Sequence, residues 1–279
     1  MHKKNSLNLI LFIVVLSLGS AIYFSEEKSN RLGLLTAIDP ASINTMTIRH
    51  NENYTDIVKR DDKTWAIEKP INIDANNFRI NSLLELLNTP IHKKYSVAEI
   101  NLNSIGLEKT TTTIRFDDTV IAFGDINPAT GLRYIKLDSF IYTIEDIVYP
   151  LLSSNFSTLV SLNLLPTNSK ITKLILQNQS ISKDENNFWQ SNISITADNI
   201  NTIIDNWLHS QAFGVHKYFE RKPNQATGHD EIFIYLESQE QEIRYLITDT
   251  DPWLIIARPE IDIEYHLDIK AYNELIAPQ

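Results

Sequence analysis

Histidines, adjacent aspartates and one Asp-x-Asn loop are the residues of this 279-residue chain whose types could do chemistry. Their spacing decides whether they can. His209 and His216 are seven apart. On one helix that is two turns, about 10 Å, too far to share an ion. Gly214 is expected to end the helix between them. His229-Asp230-Glu231 reads as a charged loop start, and the His-Glu-x-x-His pattern of zinc hydrolases does not occur. Asp125-Ile126-Asn127 opens like a calcium loop. Ala129 then stands at the third ligand position and Lys136 at the closing glutamate, which leaves a turn between strands. Asp61-Asp62 and Asp117-Asp118 sit at expected hairpin tips, where Asp favours turn geometry. Acid–base catalysis needs a sheltered pair with separated pKa values instead. There is no Gly-x-Ser-x-Gly elbow. There is no cysteine either, which excludes disulfides, thiolate metal sites and thiol nucleophiles. These residues predict a protein that is not an enzyme and takes no metal or cofactor.

The aromatic residues offer recognition instead of catalysis. Trp65, Trp189 and Trp207 fall on apolar positions that recur along the chain, which makes them core residues. Trp253 differs. It follows Asp251-Pro252 at a strand start, with Arg258 and Tyr265 close behind. An aromatic beside an arginine is an anchor for a partner, so Trp253, Arg258 and Tyr265 are the candidate partner-binding residues. Ordinary strand packing is the competing reading.

The elements that position these residues begin with a basic start, residues 1–6. Residues 7–24 then run without a charge. That length suits a transmembrane anchor, and Lys3 and Lys4 place the start in the cytoplasm and the body outside it. Cleavage near Gly19-Ser20-Ala21 is the alternative. Residues 25–42 form a tether. Residues 43–165 make a first α+β module. Strands are expected at Ile43–Ile48, Tyr54–Lys59 and Thr64–Lys69, where Trp65 and Ile67 alternate with polar neighbours and Pro70 stops the pairing. Asn76 caps a helix whose Ile80, Leu83, Leu84 and Leu87 make one apolar stripe. Hairpins around Asp117-Asp118 and Asp138-Ser139 follow, then a short helix at Glu145–Leu152.

Residues 166–279 repeat that order as a divergent second module. Ile171–Leu176 echoes the first strand and Trp189 echoes Trp65. The helix after Thr196 carries Ile200, Ile203, Ile204 and Trp207 at the spacing of Ile80 to Leu87. Trp65, Pro70, Leu83, Leu84, Leu87, Trp189, Ile203, Ile204 and Trp207 are therefore the expected structural residues. Strands joined by tight turns predict two tandem α+β modules of mainly antiparallel sheet with helices on one face, behind one transmembrane helix.

In this order the chain resembles the membrane-anchored bacterial family labelled domain of unknown function forty-three-forty. An I-x-x-I-x-I strand is matched by Ile43, Met46 and Ile48. A W-x-I-x-x-P strand is matched by Trp65, Ile67 and Pro70, and a capped Leu-Leu helix by Ala75, Ile80, Leu83, Leu84 and Leu87. Gly106-Leu107 and then Gly124, Arg133, Tyr134 and Ile135 complete the set. Asn76 replaces the family's acidic cap residue. The resemblance implies a single-pass envelope protein of the kind encoded beside gliding-motility-type ABC transporter components, and it carries over no catalytic residue.

Net charge is −10, which opposes nucleic acid and anionic lipid. The expected role is an inner-membrane protein whose exported body acts by binding, as an accessory or scaffold subunit of an ABC-transporter-linked assembly. An envelope hydrolase or carbohydrate-active enzyme with a site between the modules would need a sheltered cleft holding paired carboxylates or a histidine with a carboxylate. A periplasmic ligand-binding protein would need a deep apolar cleft.

Overall fold

The hairpins turn where asparagine and aspartate accept a left-handed backbone. Asn51, Asp117, Asp138 and Asn187 all have positive φ, a conformation their short polar side chains tolerate well. At Asp117 the carboxylate also accepts the Thr45 N–H at 2.8 Å, tying the turn to the neighbouring strand. The computed structural model describes residues 33–221, 230–237 and 239–276, and Val14, Val15 and Ser17. The expected anchor, residues 7–24, lies outside the described residues apart from those last three, which are helical. Among the described residues no helix is long and apolar enough to cross a membrane.

Among the described residues the first sheet has nine strands. They are β1 (Thr45–His50), β2 (Asn53–Lys59), β3 (Trp65–Lys69), β4 (Ile73–Asp74), β5 (Lys93–Ser96), β6 (Thr112–Phe116), β7 (Thr119–Ile126), β8 (Arg133–Leu137) and β9 (Phe140–Ile144). Their order is β4-β3-β2-β1-β6-β7-β8-β9-β5. Helix α1 (Asn77–Leu84) continues as a 3-10 turn to Asn88, and α2 is Tyr149–Ser153.

The second sheet is built from β10 (Ile171–Leu176), β11 (Gln179–Lys183), β12 (Trp189–Ser191), β13 (Gly214–Lys217), β14 (Glu231–Leu236), β15 (Ile243–Asp249), β16 (Leu254–Arg258) and β17 (Ile263–Leu267). Helix α3 (Ala197–His209) lies between β12 and β13. The order β12-β11-β10-β14-β15-β16-β17-β13 is that of the first sheet, strand for strand, without the short β4. All pairings described in both sheets are antiparallel, for example β1 with β6 and β10 with β14. Trp65 opens β3 and Trp189 opens β12, the third strand of each sheet in chain order.

Helix is the minor component, so the expected α+β class resolves to a mainly-β, two-module fold. The capped helices are where the sequence places them. Asn76 Oδ1 accepts the Arg79 N–H, and Thr196 Oγ1 accepts the Asn199 N–H. The expected helix at Glu145–Leu152 starts later, at Tyr149. Near the end of the described residues, Tyr272–Ile276 form a π-helical turn. Strands β5 and β13 carry no apolar alternation and were not expected. Lys93 and Lys94 are exposed on a sheet edge, where charge discourages further pairing.

One continuous core joins the two sheets, running from Leu35 to Ile276. The segment between the modules is stitched to both. Asn76 N donates to the Leu159 carbonyl at 2.7 Å and Ser161 N to the Asp74 carbonyl at 2.8 Å. On the other side Ala212 N donates to the Leu162 carbonyl at 2.8 Å, and the buried Tyr245 hydroxyl donates to the Leu164 carbonyl. A connection whose backbone groups are spent on both partners holds the sheets to each other.

Candidate functional site

Along this seam lies a cleft of about 350 Å³. Arg60, one residue past β2, and Ile73 and Asp74 of β4 line it from the first sheet. Leu164 and Leu165 of the connecting segment line it too, and Ile243, Arg258 and Tyr265 line it from the second sheet. Pockets of this size between modules are common ligand sites.

Asp74 is the structural hub of the cleft. Its Oδ1 accepts Arg60 Nη1 at 2.5 Å, and its Oδ2 accepts both the Thr167 N–H at 2.8 Å and the Thr167 hydroxyl at 2.9 Å. Burial disfavours its charge, but the bonds from Thr167 and Arg60 prevail and hold its pKa below the usual carboxylate value. Asp74 is thus a spent acceptor.

Arg258 ends β16. Its Nε donates to Glu260 Oε1 at 2.8 Å, and its guanidinium stands 5.9 Å from the centre of the Tyr245 ring. Burial works against its charge, yet Tyr245, Tyr265 and Glu260 raise its pKa further, so it stays cationic. Tyr265 lies in the middle of β17 and is 2% exposed. Burial pushes its hydroxyl up to about 12, so the hydroxyl keeps its proton.

The structure divides the expected partner-binding trio. Ile256 pairs with Tyr265 across β16 and β17, and Arg258 has the same parity as Ile256. Arg258 and Tyr265 therefore share the face that looks into the cleft. Trp253, of the other parity, lies outside the cleft. It is 45% exposed and packs edge-on against Phe213, itself 55% exposed, with ring centres 5.2 Å apart.

On that same outer side β17 carries an ion cluster that the sequence reading passed over. Glu264 is 2% exposed. It accepts Arg221 Nη1 at 2.6 Å, Arg221 Nη2 at 2.9 Å and the Phe219 N–H at 3.1 Å, and it bonds His266 Nε2 at 2.7 Å. Burial opposes its charge, but these bonds bring its pKa down to about 2. The His216 ring lies 4.5 Å from that of His266. Burial first, and then His266, lower the His216 pKa. The available signal was a carboxylate and a histidine at alternate positions of an otherwise apolar strand.

The expected structural residues lie in or beside the core. Trp65, Leu83, Leu84, Leu87, Ile203, Ile204 and Trp207 are all buried, Trp189 is half-buried, and Pro70 is exposed just after β3. Helix α3 ends at His209, and Gly214 opens β13 instead of ending the helix. His229 lies outside the described residues. Among the described residues no three of His, Asp and Glu are placed to hold a metal.

The glycines and the arginine of the sequence motif meet in one place. Gly106 has φ +70° at the end of a 3-10 turn, a conformation that favours glycine. A Cβ on Gly124 would stand 2.3 Å from the Ile105 carbonyl oxygen and 2.8 Å from the Leu107 side chain. Arg133, 7% exposed, donates to the Gly124 carbonyl at 2.5 Å and to both Asp146 oxygens at 2.6 and 2.8 Å. Its guanidinium stacks 3.6 Å from the Tyr149 ring centre.

Residues 65–191 match the family model described as domain of unknown function, DUF4340. This is the family that the ordered motifs resemble. The DUF4340 match starts on Trp65 at the head of β3 and ends on Ser191 at the close of β12, so it includes the Gly106–Gly124–Arg133 cluster and the connecting segment. No curated protein and no solved structure matches the chain.

Proposed function

We propose that this protein is a membrane-tethered envelope protein that acts by binding, as an accessory or scaffold subunit of an ABC-transporter-linked assembly. The exposed Phe213–Trp253 pair carries the reading. Two large aromatic rings held edge to face, each about half exposed, are the composition of an interface hot spot. The shared core supports a scaffold, because it presents that surface on a body whose two sheets are packed together. Asp74, the carboxylate in the cleft lining, has both oxygens engaged by Arg60 and Thr167, which favours a binding surface over acid–base chemistry there.

The test is a comparative pull-down of the full chain from detergent-solubilised membranes, read by mass spectrometry. A Phe213→Ala/Trp253→Ala double variant is expected to lose a co-purifying transporter component at least tenfold, with an unchanged melting temperature. Equal recovery by variant and wild type would remove the aromatic pair from the interface.

A further inference from the structure

We propose that the cleft between the two sheets binds a small organic carboxylate, held by the Tyr265 hydroxyl and by the guanidinium donors that Arg60 and Arg258 leave unspent. This inference is independent of the partner surface at Trp253.

Tyr265 supplies the first observation. Its side chain is 2% exposed and lines the cleft, and its hydroxyl makes no hydrogen bond with the described residues. That hydroxyl is not sealed in the core: among the described residues the enclosed side-chain atoms without a partner are Arg49 Nε and Thr143 Oγ1, so the Tyr265 hydroxyl opens on the cleft, where a ligand can reach it. The arginines supply the second. Arg60 commits Nη1 to Asp74, and Arg258 commits Nε to Glu260, while the remaining N–H groups of both forks take no partner among the described residues. An arginine carries five N–H donors, so most of each fork is available.

The ligand's charge follows from what those arginines already hold. Asp74 and Glu260 each offset one guanidinium. A phosphate dianion would bring two charges into a site already near balance. A carboxylate brings one, and its planar pair of oxygens fits an arginine fork. The walls add a further selection. Ile73, Leu164, Leu165 and Ile243 are apolar, so the group bearing the carboxylate is organic. Both a free organic acid and the C-terminus of a peptide present this chemistry.

The experiment is titration calorimetry of the full chain in detergent micelles. The probes are benzoate, succinate, N-acetyl-Ala-Ala with a free and with an amidated C-terminus, and inorganic phosphate. Saturable binding of a carboxylate probe is expected, with Tyr265→Phe and Arg258→Gln each weakening it roughly 10- to 100-fold, as for loss of a bond to a charged group. Arg115→Gln, on an exposed side of β6, should change nothing. Binding of the free but not the amidated dipeptide identifies a chain end as the ligand, and binding of benzoate or succinate alone identifies a free acid. Either result supports the proposal. Four results overturn it: no carboxylate probe binds, phosphate binds in their place, the amidated dipeptide binds as well as the free one, or both cleft variants bind as tightly as wild type. Melting curves of the two variants separate lost binding from lost folding, and Tyr265→Phe, which keeps the ring, decides if Arg258→Gln does not fold.

Discussion

Arg221 grips Glu264 with both Nη atoms, at 2.6 and 2.9 Å, and so holds a charged carboxylate under the outer surface of the second sheet. The Glu264 pKa is about 2 in the fold against an ordinary 4.5. A depressed carboxylate stabilises the fold fully above the unfolded value and loses that contribution as pH falls towards the folded one. His216 acts in the same direction from a higher pH. Its lowered pKa means that the fold disfavours the imidazolium, so the penalty begins as pH falls below about 6.5. The melting temperature should therefore decline gently from pH 6.5 and steeply between 4.5 and 2. Glu264→Gln should cost about 3 kcal/mol at pH 7 by leaving Arg221 unpaired. The same variant should flatten the acid limb of melting curves recorded from pH 8 to 2.5.

Trp65 and Trp253 should respond oppositely to truncation. Trp65 is 4% exposed in the shared core, and Trp65→Ala should cost about 3–5 kcal/mol. Trp253 is 45% exposed, and its alanine variant should lose less than about 1 kcal/mol. Chemical denaturation of both variants checks the pair. A Trp65→Ala protein as stable as wild type would make that residue something other than core.

The motif cluster predicts two sensitive positions. Arg133→Lys keeps a charge but loses the two-pronged grip on Asp146 and the stack on Tyr149, and should cost about 3 kcal/mol. Gly124→Ala drives a methyl into the Ile105 carbonyl and should cost about 1–3 kcal/mol or more. Urea midpoints of the two variants measure both.

Trp207 ties α3 to the C-terminal turn. Its indole N–H donates to the Leu275 carbonyl at 3.1 Å from a fully buried ring. Trp207→Phe keeps most of the packing but leaves that carbonyl unsatisfied, at about 1–3 kcal/mol. Hydrogen exchange should quicken at residues 272–276 before it does in β15 or β16.

The local part of this fold was legible in the sequence. Trp65, Pro70, the Asn76 cap and the Ile80–Leu87 stripe act over a few residues, and period and capping rules describe such short-range physics. The same holds for Thr196 and the stripe to Trp207, and for the hairpin aspartates. What the sequence did not disclose depends on distant partners. Strand β5 pairs with β9, and Lys93 meets Thr143; nothing in Lys93–Ser96 itself marks a strand, because an edge strand with charged side chains lacks the alternation that signals burial. Strand β13 is hidden for the same reason. Trp253, Arg258 and Tyr265 looked like one group because they are near in sequence, but the two-residue period of the sheet sends Arg258 and Tyr265 to one face and Trp253 to the other. Asp74 and Thr167 are 93 residues apart, and the cleft they help to build exists only once the connecting segment is bonded to both sheets. Periodicity along the chain determined the elements; the sharing of backbone hydrogen bonds between two sheets decided the core and the cleft, because those bonds join residues whose separation no local pattern encodes.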